Sequence, residues 1–368
     1  MKVLICAGGT GGGIYPALAA AAELKERGVA ASDLLWVGVA GEMEEILVPR
    51  AGIRLEKIVG GAIAGVSRLQ QLKNGLKLLW SIWLSFRIMG NFRPDVVFLT
   101  GGYMAVPVGF AARIRRIPSV MYLPDLEPGS ALKTISRTVG TVTATFAASA
   151  EYFPQGKRVV ETGYPVRQAL VDAAEQPKTA AIKTFDFELD VPILFVFGGS
   201  RGAKSINDAL MAILPDLLKK MQVIHVSGTL TWPEVEAFAQ TLPEDLKTNY
   251  RPFPYLHEEM GMAFRAADLV IARAGASMMG ECPLFGVPAI LVPYPYAWRY
   301  QKVNADFLVT RGAGVRLDDE KLGSDLLKTI DQLIEGHQLE EMKKAAKSLY
   351  VSGAAGKIAK VIMEVGGV

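Results

Sequence analysis

The chain has 368 residues, half of them hydrophobic and 21% charged, with a net charge of only +3, which excludes a disordered chain and argues against bulk attraction to nucleic acid. That length exceeds one ordinary core and predicts two domains. Two cysteines far apart, Cys6 and Cys282, argue against a disulfide framework and suit a reducing compartment.

Met1-Lys2 runs straight into an apolar strand, so no leader is expected. No apolar run reaches the roughly 20 residues of a membrane span. The expected setting is cytoplasmic, with attachment to a membrane surface left open. In chain order, "KVLICA" (2–7), "DLLWVG" (33–38), "DVVFLT" (95–100), "PSVMYL" (118–123) and "TVTATFAAS" (141–149) read as strands of a first half. "PILFVF" (192–197), "QVIHVS" (222–227), "DLVIA" (268–272) and "PAILVP" (288–293) read as strands of a second. Helical patterns lie between them, and this alternation predicts α/β architecture with parallel sheets and right-handed crossovers.

The first strand runs into "AGGTGGGIYPALAAAAEL" (7–24). Glycines there let backbone N–H groups approach an anion, and the following helix supplies partial positive charge. Pro16 is expected in that helix's first turn. The same loop also suits any tight strand–helix turn. A dinucleotide site would want an acidic residue at the end of the next strand, but "LLWVGVAG" has none before Glu42, and no GxxxxGK[ST] is present. "LICAGGTGG" (4–12) is echoed by "FVFGGSRGA" (195–203), Gly8, Gly9 and Thr10 answering to Gly198, Gly199 and Ser200 at an offset of 190. Two Rossmann-like doubly wound domains follow from the echo, with ligands at the carboxyl ends of their strands.

Residues 67–94 read as one long helix. Leu69, Leu72, Leu76, Leu79, Trp83 and Phe86 form a stripe expected to face the core. Leu78 and Ile82 widen the apolar arc, Arg68, Lys73, Lys77 and Arg87 are interspersed, and Arg113, Arg115 and Arg116 follow. This pattern suits either a buried helix with solvated lysines or a face for an anionic membrane. A membrane face would use Lys73, Lys77, Leu78, Trp80, Ile82, Trp83 and Arg87. The turn-rich "ETGYPVR" (161–167) reads as a linker, and a last helix at about 340–362 could pack on either domain.

In the second half, "DLVIARAGASMMGECPLFGVPAILVPYP" (268–295) leads a strand into a helix carrying Glu281. Gly275 and the helix N-terminus could receive a diphosphate, and the Glu281 carboxylate could accept from both hydroxyls of a diol. Gln301 and Asn304 share a helical face and could read sugar hydroxyls.

Together, "GGTGG" (8–12), "TGGY" with Pro107, "TGYPVR" (162–167), "FGGSRGA" (197–203), "RAGASMMGE" (273–281) and "QKVNA" (301–305) resemble the MurG family of bacterial peptidoglycan transferases nearly end to end. Members add N-acetylglucosamine to lipid I. The resemblance implies a GT-B fold, two Rossmann-like domains facing across a cleft. It places an acceptor- and membrane-facing domain at 1–163, completed by a C-terminal helix within 345–368, and a UDP-sugar-binding domain at 164–344. It implies UDP-GlcNAc as donor with no cofactor required, a polyprenyl-diphosphate-linked acceptor, and a peripheral position on the cytoplasmic face of the cell membrane. Ser200 and Arg167 would face the donor diphosphate, and Ala276, Ser277, Met278, Met279 and Gly280 would line the nucleotide. Glu281 would hold ribose, Gln301 the sugar and the backbone at His257 the uracil. Thr10, Gly11 and Gly12 would face the acceptor diphosphate and donor sugar.

Two departures bear on catalysis. Where the family reads GGTGGH, this chain has Gly13. Where it has "HEQN", this chain has "YLPD", with Asp125 in the asparagine's place. The family's inverting displacement needs a base for the acceptor hydroxyl and positive character around the leaving diphosphate. Asp125, close to the donor sugar, is the candidate base, and Glu127 is the weaker one. No metal motif is evident. Two other readings keep the fold: transfer to a different lipid acceptor, and a catalytically weak UDP-sugar-binding homologue.

Overall fold

The computed structural model describes residues 1–8, 11–58, 68–199, 202–296, 299–336 and 338–368, with the side chains of 68–76 outside the description. It forms two compact units, one of Met1–Val166 with Val351–Val368 and the other of Arg167–Tyr350.

The first unit holds a seven-stranded sheet. Its strands are β1 (Val3–Cys6), β2 (Leu34–Val39), β3 (Arg54–Ile58), β4 (Val96–Leu99), β5 (Ser119–Leu123), β6 (Thr141–Ala144) and β7 (Arg158–Glu161). The order is β3-β2-β1-β4-β5-β6-β7, and every pairing is parallel. The second unit adds β8 (Ile193–Phe197), β9 (Gln222–Val226), β10 (Tyr250–Phe253), β11 (Leu269–Ala272), β12 (Ala289–Leu291) and β13 (Gly314–Arg316). Their order, β10-β9-β8-β11-β12-β13, repeats the doubly wound pattern, again all parallel. The sequence echo thus marks β1 and β8, which hold the same central place in the two sheets.

Alternation explains the layering. In β1, Val3 and Ile5 enter one apolar cluster with Trp36, Phe98 and Tyr122, while Leu4 and Cys6 enter another with Leu35, Leu99 and Met121. Both faces are covered, so the strand is apolar at every position. Four strands escaped the sequence reading: β3, β7, β10 and β13. They are the four sheet edges, and their sequences RLEKI, RVVE, YRPF and GVR carry charges or few apolar residues.

The final stretch is two helices, not one. Leu339–Ser348 lies in the second unit and Ala354–Gly366 in the first. Gly353, left-handed at φ +65°, separates them. Ile358, Ala359 and Ile362 complete the cluster around Ile5 and Trp36.

The helix Arg68–Phe92 inverts the expected stripe. Leu79, Trp83 and Phe86 are exposed, and among the described side chains the buried positions are Ser81, Ser85 and Met89; Leu69, Leu72 and Leu76 lie outside the described side chains. Small side chains let the neighbouring helix Ala105–Ile114 approach closely. The Ser85 hydroxyl donates to the Ser81 carbonyl at 2.7 Å, so this polar group is satisfied within its own helix. No helix among the described residues is long and apolar enough to cross a membrane.

Candidate active site

All strands of each sheet run parallel, so each sheet gathers its carboxyl-end loops on one edge. In the first unit the loop after β1 leads into the helix Gly11–Glu26, which has no acidic residue in its first turn. No acidic side chain in that turn therefore offsets its positive end, which suits an anion. Gly11 and Gly12 open the helix, and Thr10 lies outside the described residues. Pro16 is the sixth helical residue rather than a first-turn one. Its missing N–H leaves the Gly12 carbonyl without an i+4 donor.

The loop after β4 backs onto this turn. Gly102 is left-handed at φ +76°, and a Cβ there would stand 2.7 Å from the Gly8 carbonyl oxygen. The Thr100 hydroxyl donates to the Gly13 carbonyl at 2.8 Å. Two glycine turns from adjacent strands are thus packed backbone to backbone at the point where strand order reverses. A side chain at position 13 would start 3.3 Å from Thr100 Oγ1.

Beneath Gly8 lies a carboxylate that the sequence reading missed. Glu44 is fully buried, and its Oε1 accepts from the Val39 N–H at 3.2 Å. Its Oε2 has no hydrogen-bond partner among the described residues. The acid absent from the end of β2 therefore arrives from the following helix, but inside the fold rather than facing a ribose. Asp125 and Glu127 follow β5 and are half-buried. The Tyr122 hydroxyl sits well above its usual range through burial, the neighbouring Tyr164 and, to a smaller extent, the charge of Asp125.

In the second unit, Gly199 (φ +90°) and Gly202 (φ +83°) turn the chain after β8, closed by a 2.9 Å bond from the Gly202 N–H to the Gly199 carbonyl. Ser200 lies outside the described residues. The helix Lys204–Leu217 follows, its first turn also free of acids. After β11, Arg273 donates to Asp319 Oδ1 and, at 2.8 Å, to Ser205 Oγ, while Ser205 donates to Asp319 Oδ1 at 2.8 Å. These bonds tie the β11 loop to the helix that follows β8.

The helix Met278–Phe285 comes next, preceded by half-buried Ala276 and Ser277. Met278, Met279 and Gly280 are buried, so the methionine side chains serve the core and only backbone at these positions is left for a ligand. Glu281 is 8% exposed and accepts from the Ser277 hydroxyl at 3.0 Å. Burial raises its carboxyl above the usual range, against the pull of the Arg167 charge and the Ser277 hydroxyl. Glu281, Ser277 and Arg167 thus come together, with Arg167 at the start of the helix Gln168–Glu175.

Gln301 accepts through Oε1 from the Tyr294 N–H at 2.8 Å. Asn304 does not share its role. It is 1% exposed and donates to the Ala274 carbonyl at 3.2 Å, bracing the β11 loop rather than presenting an amide. His257 is exposed, its ring 4.7 Å from that of Tyr255. Chemically, this edge offers two helix N-termini and a glycine turn for a diphosphate. The nearly buried Glu281 carboxylate suits a diol, whose two hydroxyls it can accept from.

On the outer face of the first unit, Leu79, Trp80, Trp83 and Phe86 are exposed. Trp80 and Trp83 stack at 4.7 Å, Arg87 lies over Trp83 at 5.9 Å and Arg115 over Phe86 at 3.7 Å. Lys77 is exposed and Leu78 and Ile82 are half-buried; the Lys73 side chain lies outside the description.

The family model described as the glycosyltransferase family 28 N-terminal domain matches residues 3–144, and the family 28 C-terminal domain matches 193–360. A UDP-N-acetylglucosamine--N-acetylmuramyl-(pentapeptide) pyrophosphoryl-undecaprenol N-acetylglucosamine transferase of Roseiflexus sp. is 36% identical, over 98% of this chain and 94% of the relative. The protein of that name from Natranaerobius thermophilus is 34% identical, over 98% and 99%. Among solved structures, MurG of Acinetobacter baumannii superposes with a TM-score of 0.79 at 27% identity, covering 99% of both chains.

Proposed function

Since the chain belongs to the family of UDP-N-acetylglucosamine--N-acetylmuramyl-(pentapeptide) pyrophosphoryl-undecaprenol N-acetylglucosamine transferases, built from the two family 28 domains, we propose that it converts lipid I to lipid II in peptidoglycan biosynthesis. It is a hexosyltransferase of GT-B type, with UDP-GlcNAc as donor and a muramoyl-pentapeptide diphospho-undecaprenol as acceptor. The observation that carries the donor side is the meeting of Glu281, Ser277 and Arg167.

In this reading the second unit binds the donor. The diphosphate lies against the N-termini of Lys204–Leu217 and Met278–Phe285, with Ser200 and Arg167 beside it. Glu281 accepts from the ribose hydroxyls, Gln301 meets the sugar, and the backbone at His257 meets the uracil. The acceptor hydroxyl oxygen bonds to the anomeric carbon as the bond to the β-phosphate oxygen breaks. The proton passes to a base and UDP departs with inversion. Helix ends and backbone N–H groups hold the charge that develops on the leaving diphosphate.

Asp125 is the base we propose, because Gly13 has no side chain to serve. Transfer of labelled sugar from UDP-GlcNAc to a soluble lipid I analogue tests the whole reading. Clear product supports it, whereas donor binding without product points to another acceptor or to a catalytically weak UDP-sugar-binding homologue. In the same assay Asp125→Asn is expected to lower kcat by roughly 10²–10⁴ with the donor KM little changed. Undiminished turnover would remove Asp125 from the mechanism.

Glu281 sets a pH dependence. Its carboxyl is raised in the fold, so ionisation costs stability at neutral pH, and that cost is relieved as pH falls through the raised value. Donor binding runs the opposite way, because only the carboxylate accepts from both hydroxyls. The donor KM should rise as pH is lowered from neutrality toward and past the carboxyl's raised pKa. Glu281→Gln should raise KM at neutral pH and flatten the profile; a variant with the wild-type profile would show that another group titrates.

The stacked tryptophans and flanking cations of the first unit suit an anionic bilayer surface, where aromatic and aliphatic groups insert and arginines meet headgroups. The protein then works peripherally on the cytoplasmic face of the membrane.

A further inference from the structure

The second unit buries a connected chain of polar groups. Asn207, His225 and Ser227 are fully buried, and Thr231 and Tyr250 nearly so. The directions of their hydrogen bonds follow from one residue. The Asn207 Nδ2 group spends both hydrogens, on the Ser227 carbonyl at 2.8 Å and on Thr231 Oγ1 at 2.7 Å. Its Oδ1 therefore accepts from His225 Nε2 at 3.0 Å. With the proton on Nε2, His225 Nδ1 accepts from the Tyr250 hydroxyl at 2.8 Å. Burial pushes the imidazole pKa down to about 3, so the ring stays neutral.

The chain ends on the Ser227 carbonyl, which also accepts from the Thr231 hydroxyl at 2.8 Å. Against that carbonyl lies Gly202, where a Cβ would stand 2.1 Å from the oxygen. Gly202 closes the β8 glycine turn. Asn207 is itself the fourth residue of Lys204–Leu217, the helix whose N-terminus follows that turn. The network therefore joins β9, β10 and this helix at the carbonyl on which the turn rests.

We infer that His225, acting through Asn207 and the Ser227 carbonyl, is a positioning residue for the diphosphate-binding turn of the donor site. The inference rests on the reading of the second unit as the donor unit. Its consequence is specific: loss of the network misplaces the turn and weakens donor binding, while the acceptor side is untouched.

The test uses the full chain, with UDP titrated by calorimetry and steady-state kinetics in both substrates. His225→Leu is expected to raise the donor KM and the UDP Kd about tenfold, with kcat and acceptor KM within about twofold. His225→Gln keeps a donor toward Asn207 and an acceptor toward Tyr250, and should recover most of the loss. Should the leucine variant fail to fold, Tyr250→Phe keeps the shape, removes the donor to Nδ1, and should raise the donor KM about threefold. An unchanged donor KM in a folded leucine or phenylalanine variant overturns the inference, as does an equal loss in the leucine and glutamine variants. Wild-type protein that does not bind UDP overturns the donor reading and this inference with it. Wild-type binding with unaltered variants overturns the inference alone.

Discussion

Gly202→Ala is expected to lose UDP-GlcNAc affinity by ~100-fold or more, the scale on which displacements near one ångström act at a site. Two effects combine. Alanine at φ +83° costs about 1–2 kcal/mol of backbone strain. Its Cβ would also lie 2.1 Å from the Ser227 carbonyl oxygen, which two donors hold in place, so the turn itself must move. A total destabilisation of roughly 2–4 kcal/mol follows. Gly199→Ala is the matched control. Its φ is +90°, but nothing among the described residues lies within 4 Å of a Cβ there, so the strain is the main effect. Urea denaturation and UDP calorimetry on both variants separate the two effects. Equal, small losses in both would show that the Ser227 contact does not set the turn.

The second large effect lies on the opposite functional side. Trp80→Glu with Trp83→Glu should abolish co-flotation with vesicles containing phosphatidylglycerol, weakening binding by ~10–100-fold. Both rings are about half exposed, at 52% and 48%, so the substitutions remove little core packing. They add negative charge where Arg87 and Arg115 would meet anionic headgroups. Wild-type binding should fall with salt as those charges are screened. Turnover on a soluble acceptor analogue should be unaltered. Vesicle binding that survives the double substitution would assign membrane contact to another face.

The central strands were legible because a strand covered on both faces is apolar throughout, as in Val3–Cys6 and Ile193–Phe197. The four edge strands were not, because half-open edges accept sequences such as RLEKI that read as loop. The helix Arg68–Phe92 misled for a related reason. Hydrophobic periodicity assumes that large apolar residues face inward, yet here Ser81 and Ser85 do so beside Met89, while Leu79, Trp80, Trp83 and Phe86 are exposed. The glycine turns and Glu281 were legible as motifs. Glu44 and the His225 network were not, since a buried acid or imidazole has no local signature; only the folded backbone shows that it touches Gly8 or leads to Gly202. Asn304 looked like a twin of Gln301 by spacing, but one side chain turns into the fold.

The helix Ala354–Gly366 has a consequence for synthesis on the ribosome. Its Ile358, Ala359 and Ile362 belong to the same buried cluster as Val3, Ile5 and Trp36. The unit translated first therefore cannot close its core until residues 354–366 have emerged, whereas Arg167–Tyr350 is contiguous and complete before then. During translation that face of the opening sheet waits with part of its apolar cover missing, and the later-made half is the earlier to have all its residues. Order of synthesis and order of completion are reversed in this chain.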